Sequence, residues 1–288
     1  MTNWNDLPSL VRAFVEEHTG PVVNATDTTN GRNSDFSAVL RSHSGDLLFL
    51  KGVHGVSPRM RWLRNEITAG ALAPGITPAV LFHADVADWL IVGFEHLPGR
   101  AADLSPGSPD LSLVAKTVIE IGGIPAPDLR PLHDRWDTTD WWNRLAEEAP
   151  AVVEGWVVEE MSRRASLLTD LVRGDRLVHT DLHGDQFILG DDEAVHVIDW
   201  GMPGAGAPWV DGAFLVLRLI EAGHATGEAE RWALSLPGFA TVDHGTALDA
   251  FSAYIAGLWT CWTLGDNVAP GAEHRARLAR DYAASRQR

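Results

Sequence analysis

Residues 177–200 read LVHTDLHGDQFILGDDEAVHVIDW, and this stretch predicts the fold of the chain around it. Two short apolar runs, Gln186–Leu189 and Ala194–Ile198, are separated by Gly190-Asp191-Asp192. Glycine and aspartate between two such runs favour a tight reversal, so the pattern predicts a β-hairpin. A hairpin holds the ends of its two strands side by side. Polar residues before the first strand and after the second are therefore expected to lie in one small volume.

Three oxygen-bearing side chains flank the predicted hairpin: Asp181 and Gln186 before its first strand, and Asp199 after its second. Carboxylates and an amide carbonyl are hard donors. They suit Mg²⁺, which proteins bind through one or two carboxylates together with substrate phosphates. The stretch therefore predicts a magnesium site beside a phosphate-bearing ligand.

The order and spacing of His179-Thr180-Asp181, Gln186 and Asp199-Trp200-Gly201 resemble the catalytic and metal loops of the aminoglycoside phosphotransferase family. The resemblance implies a protein-kinase-like fold and transfer of a γ-phosphoryl group. It implies that Asp181 accepts the proton of the acceptor hydroxyl, and that Gln186 and Asp199 hold Mg²⁺. Two residues depart from the family pattern. Thr180 stands where glycine is usual, and Gln186, one methylene longer, stands where asparagine is usual.

A lysine and a glutamate upstream extend the resemblance. Lys51 follows the apolar run LLFL and is predicted to end a strand, and Glu66 lies 15 residues later. Glu66 falls in a predicted helix that Ser57 caps and Pro58 begins. In the family, such an ion pair places the ammonium against the donor phosphates. Taken alone, each residue would be interpreted as an exposed charge.

Two further segments are implied to bind the nucleotide. The turn at residues 27–35, DTTNGRNSD, contains Gly31, Asn33 and Ser34 and would cover the phosphates, with backbone N–H groups and the Ser34 hydroxyl as donors. An ordinary polar hairpin is the alternative there, because no GxGxxG pattern is present. The segment from Glu95 to Leu97 resembles the link between the two lobes, where backbone groups pair with adenine.

Strand-like runs dominate the first part of the chain and helical runs the second, which predicts an α+β architecture. The predicted fold is two-lobed and protein-kinase-like. Residues 1–97 would form an antiparallel-sheet, nucleotide-binding lobe with one key helix, and residues 98–288 a larger, mainly helical lobe for catalysis and acceptor binding. One long helix is expected over residues 152–172, a loop over 203–208, and three helices after residue 208. Asp211 is interpreted as a structural carboxylate at a helix start.

Composition restricts the class of partner. A net charge of −16 argues against binding to nucleic acid or to an anionic membrane, and suits a cationic acceptor. No apolar run approaches the roughly 20 residues that span a bilayer, no signal-peptide pattern is present, and Cys261 is the only cysteine. A cytoplasmic monomer or homodimer is predicted. Glu154, Glu159 and Glu160 could line an acceptor pocket, although a solvated helix face is the favoured interpretation.

The function that best fits these features is transfer of the γ-phosphoryl group to a small-molecule hydroxyl. The donor would be ATP, with GTP as the alternative, and Mg²⁺ the metal. The acceptor would be an aminoglycoside-like antibiotic, an amino sugar or an amino alcohol, which makes antibiotic resistance an expected role. Two alternatives remain open. One is a nucleotide-binding module with little or no turnover, motivated by Thr180 and Gln186. The other is an Fe(II) oxygenase, motivated by His179 and Asp181 with a later histidine.

Overall fold

The computed structural model describes residues 2–28, 33–136, 139–191, 194–265 and 268–287. The chain forms two compact units: the first comprises residues 1–102 and 185–203, the second residues 103–184 and 204–288. The first unit therefore includes the predicted hairpin at residues 186–198 as well as the N-terminal strands. The functional division predicted at residues 97 and 98 stays a prediction.

An antiparallel sheet of five strands lies at the centre of the first unit, in the order β1-β2-β3-β5-β4. The strands are β1 (Val22–Asp27), β2 (Phe36–Ser42), β3 (Leu47–His54), β4 (Val80–Val86) and β5 (Trp89–Glu95). The antiparallel sheet predicted for the first part of the chain is confirmed. One detail is wrong: Lys51 lies inside β3 rather than at its end, because the strand stays paired with β5 as far as His54.

The two faces of this sheet are covered by different helices. Helix α1 (Ser9–Thr19) shares an apolar cluster with Leu48 and Leu50 of β3. Helix α2 (Pro58–Leu72) shares another with Val53, through Leu63. Successive side chains of a strand point to opposite faces of the sheet. Leu48 and Leu50 face α1, so Lys51, like Val53, faces α2. The two-residue repeat of the strand therefore places this lysine on the face that α2 covers.

The hairpin predicted for residues 186–198 is confirmed. Strand β8 (Phe187–Leu189) pairs antiparallel with β9 (Val195–Val197), and β6 (Arg100–Ala101) adds a third strand. Part of the predicted turn, Asp192 with Glu193, lies outside the described residues. Gly99 permits the close approach of β6, since a β-carbon there would lie 2.4 Å from the Leu189 carbonyl oxygen. A larger residue at position 99 would push the two strands apart.

The second unit is mainly helical, as expected. Its helices are α3 (Asp110–Gly123), α4 (Leu132–Arg135), α5 (Trp141–Glu148), α6 (Val158–Ser166), α7 (Leu168–Leu171), α8 (Trp209–Glu221), α9 (Thr226–Leu234), α10 (His244–Cys261) and α11 (Ala272–Ser285). Two short strands, β7 (Arg176–Val178) and β10 (Gly204–Gly206), pair antiparallel. The predicted α+β class, with the sheet in the first part of the chain and most helices in the second, is confirmed. Among the described helices, none is both long and apolar enough to cross a membrane.

Three details of the predicted second unit are wrong. The single helix expected over residues 152–172 is instead the end of a 3-10 turn at Pro150–Val153 followed by α6 and α7, because Gly155 adopts a left-handed φ of +82° and α6 begins only at Val158. Residues 204–206 form a strand rather than a loop, since small residues let two backbones approach: a β-carbon at Gly174 would lie 2.4 Å from the Gly206 carbonyl oxygen. Helix α9 was not predicted, because its weak apolar pattern is short.

Candidate active site

Three charged side chains meet on the α2 face of the first unit. The Lys51 Nζ donates to both carboxylate oxygens of Glu66, at 3.0 and 2.8 Å, and to Asp199 Oδ1 at 2.6 Å. Lys51 and Glu66 are buried, whereas the Asp199 side chain is 44% exposed. The structure thus brings together three of the residues predicted for the nucleotide and metal sites.

Local sequence explains how α2 delivers Glu66 to this cluster. The Ser57 side chain accepts from the Met60 backbone N–H and caps the helix, and Pro58 occupies its first turn. Glu66 lies three residues after Leu63, so both lie on the same side of the helix. Packing of Leu63 against the sheet therefore turns Glu66 toward Lys51.

Burial and charge act in opposite directions on this cluster. Burial by itself lowers the pKa of Lys51, but the adjacent Glu66 and then Asp199 outweigh it, so the net shift of the lysine pKa is upward. Burial raises the pKa of Glu66, and the Lys51 ammonium counters part of that shift. Lys51 therefore stays protonated throughout the neutral pH range.

Replacing Lys51 with methionine is expected to destabilise the fold by about 3 kcal/mol, since it leaves the buried Glu66 without its cation. A Lys51→Met, Glu66→Gln double variant should recover part of this loss, because no buried charge remains. The measurement is the free energy of unfolding in urea. The chain contains one other lysine, Lys116, which is largely exposed. Lys116→Met should change stability by less than about 0.5 kcal/mol. Equal losses at the two lysines would contradict the proposed role of the buried cluster in stability.

The open end of the hairpin holds Gln186 beside Asp199. The Ile198 N–H donates to the Gln186 carbonyl at 3.0 Å, one step beyond the Phe187–Val197 pair of β8 and β9. Gln186 is buried, and Asp199 has a left-handed φ of +62°, a conformation that aspartate tolerates better than most residues. Both predicted metal ligands thus lie at the end of the hairpin that the sequence indicated.

The residues after Asp199 are tied down on two sides. Trp200 is buried, and its indole Nε1–H donates to the Val197 carbonyl at 2.7 Å. The Asn65 Nδ2 donates to the Gly201 carbonyl at 2.9 Å. Asn65 precedes Glu66 on α2, so this helix contacts the loop after Trp200, while Lys51 of β3 contacts Asp199 before it. Sequence reasoning missed Asn65, and its only signal is its place next to Glu66.

The donor set at the hairpin fits a magnesium ion. Asp199 offers a half-exposed carboxylate and Gln186 an amide oxygen, and Mg²⁺ takes its other ligands from water and substrate phosphates. Among the residues that the structure describes, no three His, Cys, Asp or Glu side chains are grouped to hold a metal ion. A magnesium ion would therefore depend on these two residues and on the nucleotide.

The loop that carries Asp181 belongs to the second unit and is anchored by Asp211. This buried carboxylate, in the first turn of α8, accepts from the backbone N–H groups of His179 and Thr180, both at 2.8 Å. Burial raises the pKa of Asp211, and the adjacent His179 is the largest opposing influence. The geometry agrees with the structural role predicted for this aspartate.

Thr180 adopts a left-handed backbone with φ of +70°, which explains why glycine is usual at this position of the family. A β-branched residue is strained there. The Arg135 Nη2 donates to the Thr180 hydroxyl at 2.7 Å, and burial lowers the pKa of Arg135 to about 10. Sequence reasoning missed Arg135, because nothing in a pattern 45 residues away points to it.

Two substitutions at Thr180 are expected to have opposite effects. Asparagine tolerates the left-handed region and keeps an oxygen for Arg135, so Thr180→Asn should stabilise the fold by about 1 kcal/mol. Glycine removes the strain but also the acceptor of a charged donor, so Thr180→Gly should destabilise it by about 1 kcal/mol. The free energy of unfolding in urea measures both. A glycine variant more stable than the asparagine variant would show that the Arg135 contact contributes nothing.

Asp181 itself is half-exposed and contacts an arginine that sequence reasoning missed. The Arg218 Nη2 donates to Asp181 Oδ1 at 3.4 Å. Arg218 lies seven residues after Asp211 on α8, a spacing that puts both on one side of a helix. That spacing is the signal by which Arg218 could have been found.

The other residues predicted to bind the nucleotide, Ser34, Glu95 and Leu97, lie in the first unit. Ser34 is buried just before β2, and Gly31 lies outside the described residues. Glu95 ends β5, and its carboxylate accepts from the Ala79 N–H at 2.7 Å, while Leu97 follows the strand half-buried. The nucleotide-binding roles of Ser34, Glu95 and Leu97 stay predictions.

The three glutamates considered for an acceptor pocket lie on a solvated surface, as favoured. Glu154 and Glu159 are exposed. Glu160 pairs with Arg163 and Arg164, which lower the pKa of Glu160 to about 2. Exposure and ion pairing thus favour the solvated helix face over an acceptor pocket for these glutamates.

The chain resembles several solved kinases in its fold. A thermostable mutant of aminoglycoside phosphotransferase APH(4)-Ia, in ternary complex with AMP-PNP and hygromycin B, matches with a TM-score of 0.67 and 14% identity, over 97% of this chain and 98% of that one. Choline kinase LicA from Streptococcus pneumoniae matches with a TM-score of 0.63 and 16% identity, over 96% and 99% of the two chains. AMP-bound spectinomycin phosphotransferase APH(9)-Ia matches with a TM-score of 0.59 and 13% identity, over 99% of this chain and 95% of that one.

Sequence comparison gives the family. No curated protein matches the chain significantly. The model of the phosphotransferase enzyme family (APH) matches residues 26–244, which is most of the chain and includes Lys51, Asp181 and Asp199. The Fe(II) oxygenase alternative is left without support. The chain therefore belongs to the phosphotransferase enzyme family, and the family and enzyme class that its sequence predicted are confirmed.

Proposed function

We propose that the protein transfers the γ-phosphoryl group of ATP, as its magnesium complex, to a hydroxyl group of a small molecule. The observation that carries the proposal is the buried Lys51–Glu66 ion pair with Asp199 at 2.6 Å from the same ammonium. A buried lysine held between two carboxylates is a fixed positive charge, which is what binding of triphosphate oxygens requires. The nucleotides in the ternary complexes of APH(4)-Ia support ATP as the donor.

Each residue has a proposed role. Lys51, held by Glu66, binds donor phosphate oxygens. Asp199 and Gln186 hold Mg²⁺, which when bound neutralises charge on the phosphates. Asp181 is the general base. We further predict that backbone groups between Glu95 and Leu97 pair with the base of the nucleotide and that the Ser34 hydroxyl donates to a phosphate.

The reaction balances without any other reactant. The acceptor oxygen forms a bond to the γ-phosphorus as the bond from that phosphorus to the β–γ bridging oxygen breaks. ADP leaves with the electron pair of the broken bond. The acceptor proton passes to a carboxylate oxygen of Asp181 and then to solvent. Asp181 has the exposure that this task needs, since its side chain is 46% accessible.

The acceptor that we propose is a hydroxylated small molecule that carries an amine. The net charge of −16 favours encounter with cations. The structural neighbours include a choline kinase and a complex with hygromycin B, which supports this class for the present chain. A cytoplasmic location, a role in antibiotic resistance and the choice of ATP over GTP stay predictions.

The two lysines of the chain allow a direct test of the nucleotide site. An acyl-phosphate derivative of ATP acylates a lysine that lies against the phosphates. Peptide mapping should find the label on Lys51, suppressed by excess ATP with Mg²⁺, while Lys116 serves as the internal control. Label on Lys116 alone, or label that ATP does not suppress, would contradict the proposed nucleotide site.

Turnover needs a separate test. Purified protein should consume ATP in the presence of at least one acceptor from a panel of aminoglycosides, spectinomycin, amino sugars and choline, with phosphorylated product identified by mass spectrometry. Suppressible labelling of Lys51 without turnover on any acceptor would favour the alternative of a nucleotide-binding module. The two readouts together therefore separate an active kinase from an inactive one.

A further inference from the structure

One arginine that the proposed reaction does not yet use lies beside its proposed base. Arg218 is in the last turn of α8, seven residues and about two helical turns after Asp211. Asp211 holds the backbone of the loop at His179 and Thr180, whereas Arg218 contacts the side chain of Asp181. One helix, α8, thus contacts this loop at two points: the backbone through Asp211 and the Asp181 side chain through Arg218.

The guanidinium of Arg218 is enclosed by the second unit. Its side chain is 8% exposed, and its Nη1 donates to Glu221 Oε2 at 3.1 Å. The guanidinium carbon lies 5.7 Å from the centre of the Trp259 ring. The Nη2 reaches Asp181 Oδ1 at 3.4 Å. Packing against Trp259 and pairing with Glu221 leave Arg218 few other positions, so its contact with Asp181 is made by a constrained group.

Burying this cation is costly unless anions lie beside it. Two are present, Asp181 and Glu221, and Glu221 is in turn bonded to His274 Nε2 at 2.8 Å. The Arg218 Nε is buried without a hydrogen-bond partner, so the guanidinium is not optimally satisfied as a purely structural group. An arginine kept only for structure would be expected to use all three of its nitrogens, including Nε. The arrangement fits a group kept for its effect on Asp181.

We propose that Arg218 is a positioning residue for Asp181, an inference that rests on the proposed phosphotransferase function. Arg218 fixes one carboxylate oxygen, Oδ1, and so selects the rotamer in which the other oxygen accepts the proton of the acceptor. The role proposed for Arg218 requires no contact with nucleotide or acceptor. Because Arg218 acts on the alignment of the Asp181 carboxylate, loss of Arg218 slows phosphoryl transfer and leaves the affinity for the nucleotide unchanged.

Three variants test the role. Arg218→Met keeps the apolar stem against Trp259 but removes the charge. Arg218→Lys keeps a positive charge but lacks the planar, forked guanidinium group. Arg218→Ala leaves space in which guanidinium added to the solution can bind. Arg173→Met is the control, since Arg173 is an exposed arginine of the same unit. The assays measure kcat and the KM for ATP, with hygromycin B, choline or water as acceptor, whichever the wild type uses fastest. Thermal unfolding checks that each variant is folded.

The expected result is a fall in kcat of about 10- to 100-fold for Arg218→Met, with the KM for ATP within threefold of wild type. Arg218→Lys should keep more of the rate than Arg218→Met, and millimolar guanidinium should restore Arg218→Ala severalfold. A purely structural role would not give rescue by guanidinium at unchanged thermal stability. Should Arg218→Ala fail to fold, the comparison of the lysine and methionine variants decides alone.

Two outcomes are unfavourable, and they differ. A wild-type kcat in Arg218→Met, or no advantage of lysine over methionine at equal stability, would overturn the positioning role and leave the proposed function intact. Absence of any ATP turnover by the wild type would overturn the proposed function, and the positioning role with it. Labelling of Lys51 by the acyl-phosphate derivative then shows whether the nucleotide site survives.

Discussion

Replacing Asp181 with asparagine is expected to lower kcat by about 10²- to 10⁴-fold, the usual contribution of a positioned general base. The asparagine side chain has nearly the same shape and keeps an oxygen for Arg218. What it loses is the capacity to take the proton of the acceptor hydroxyl. The affinity for ATP with Mg²⁺ should stay within a few-fold of wild type, because none of the proposed nucleotide contacts involves position 181.

Steady-state rates with the best acceptor and a separate ATP-binding titration measure the two expectations for Asp181→Asn. Asp170→Asn is the matched control: it makes the same change at an exposed aspartate of the same unit. The control should keep the wild-type rate. Full turnover by Asp181→Asn would show that another group accepts the proton, and the role proposed for Asp181 would be wrong.

Replacing Asp199 with asparagine should have its main effect on binding rather than on chemistry alone. The change removes the carboxylate proposed for Mg²⁺ but leaves the bond from Lys51 to Glu66 in place. The affinity for ATP in the presence of Mg²⁺ should fall by at least about tenfold, as expected when one of two protein ligands of the metal loses its charge. Since Asp199 is half-exposed, the free energy of unfolding should change by less than about 1 kcal/mol.

The test of Asp199→Asn is a titration of the non-hydrolysable analogue AMP-PNP with and without Mg²⁺. Wild type should bind more tightly with the metal, and the variant should lose most of that difference. Asp85→Asn is the control, because Asp85 is an exposed aspartate of the first unit that pairs with Arg64. A variant that retains the full magnesium effect would show that other groups hold the ion.

The sequence was sufficient for the strands of the first unit and for the hairpin, because these elements have strong period-two patterns and clear turn residues. Lys51, Glu66, Gln186 and Asp199 were also predictable, since their types and spacing together form a motif. Arg135, Arg218 and Asn65 were not. Each acts through a contact made by folding, 45 residues away for Arg135 and 37 for Arg218. The signals that exist, a place next to Glu66 for Asn65 and a seven-residue spacing from Asp211 for Arg218, are too common on helices to single out these residues.

The helical unit was predicted less well for a different reason. Residues 152–172 carry helical periodicity throughout. The left-handed conformation of Gly155 separates α6 from the short 3-10 turn before it, at Pro150–Val153. Glycine occurs in helices and at their ends, so its identity did not decide between the two. Likewise, Gly204–Gly206 has the composition of a loop, and it forms a strand because β7 lies beside it.

The cluster of Lys51, Glu66 and Asp199 combines one cation with two anions, and so it carries a single surplus negative charge. A bare triphosphate, itself highly anionic, meets repulsion there, whereas the same molecule chelated to a divalent ion arrives with much of its charge already cancelled. For the proposed reaction this favours an order of arrival: metal and nucleotide would enter as one chelate, and Lys51 would exchange a carboxylate for a phosphate oxygen only once that chelate is in reach.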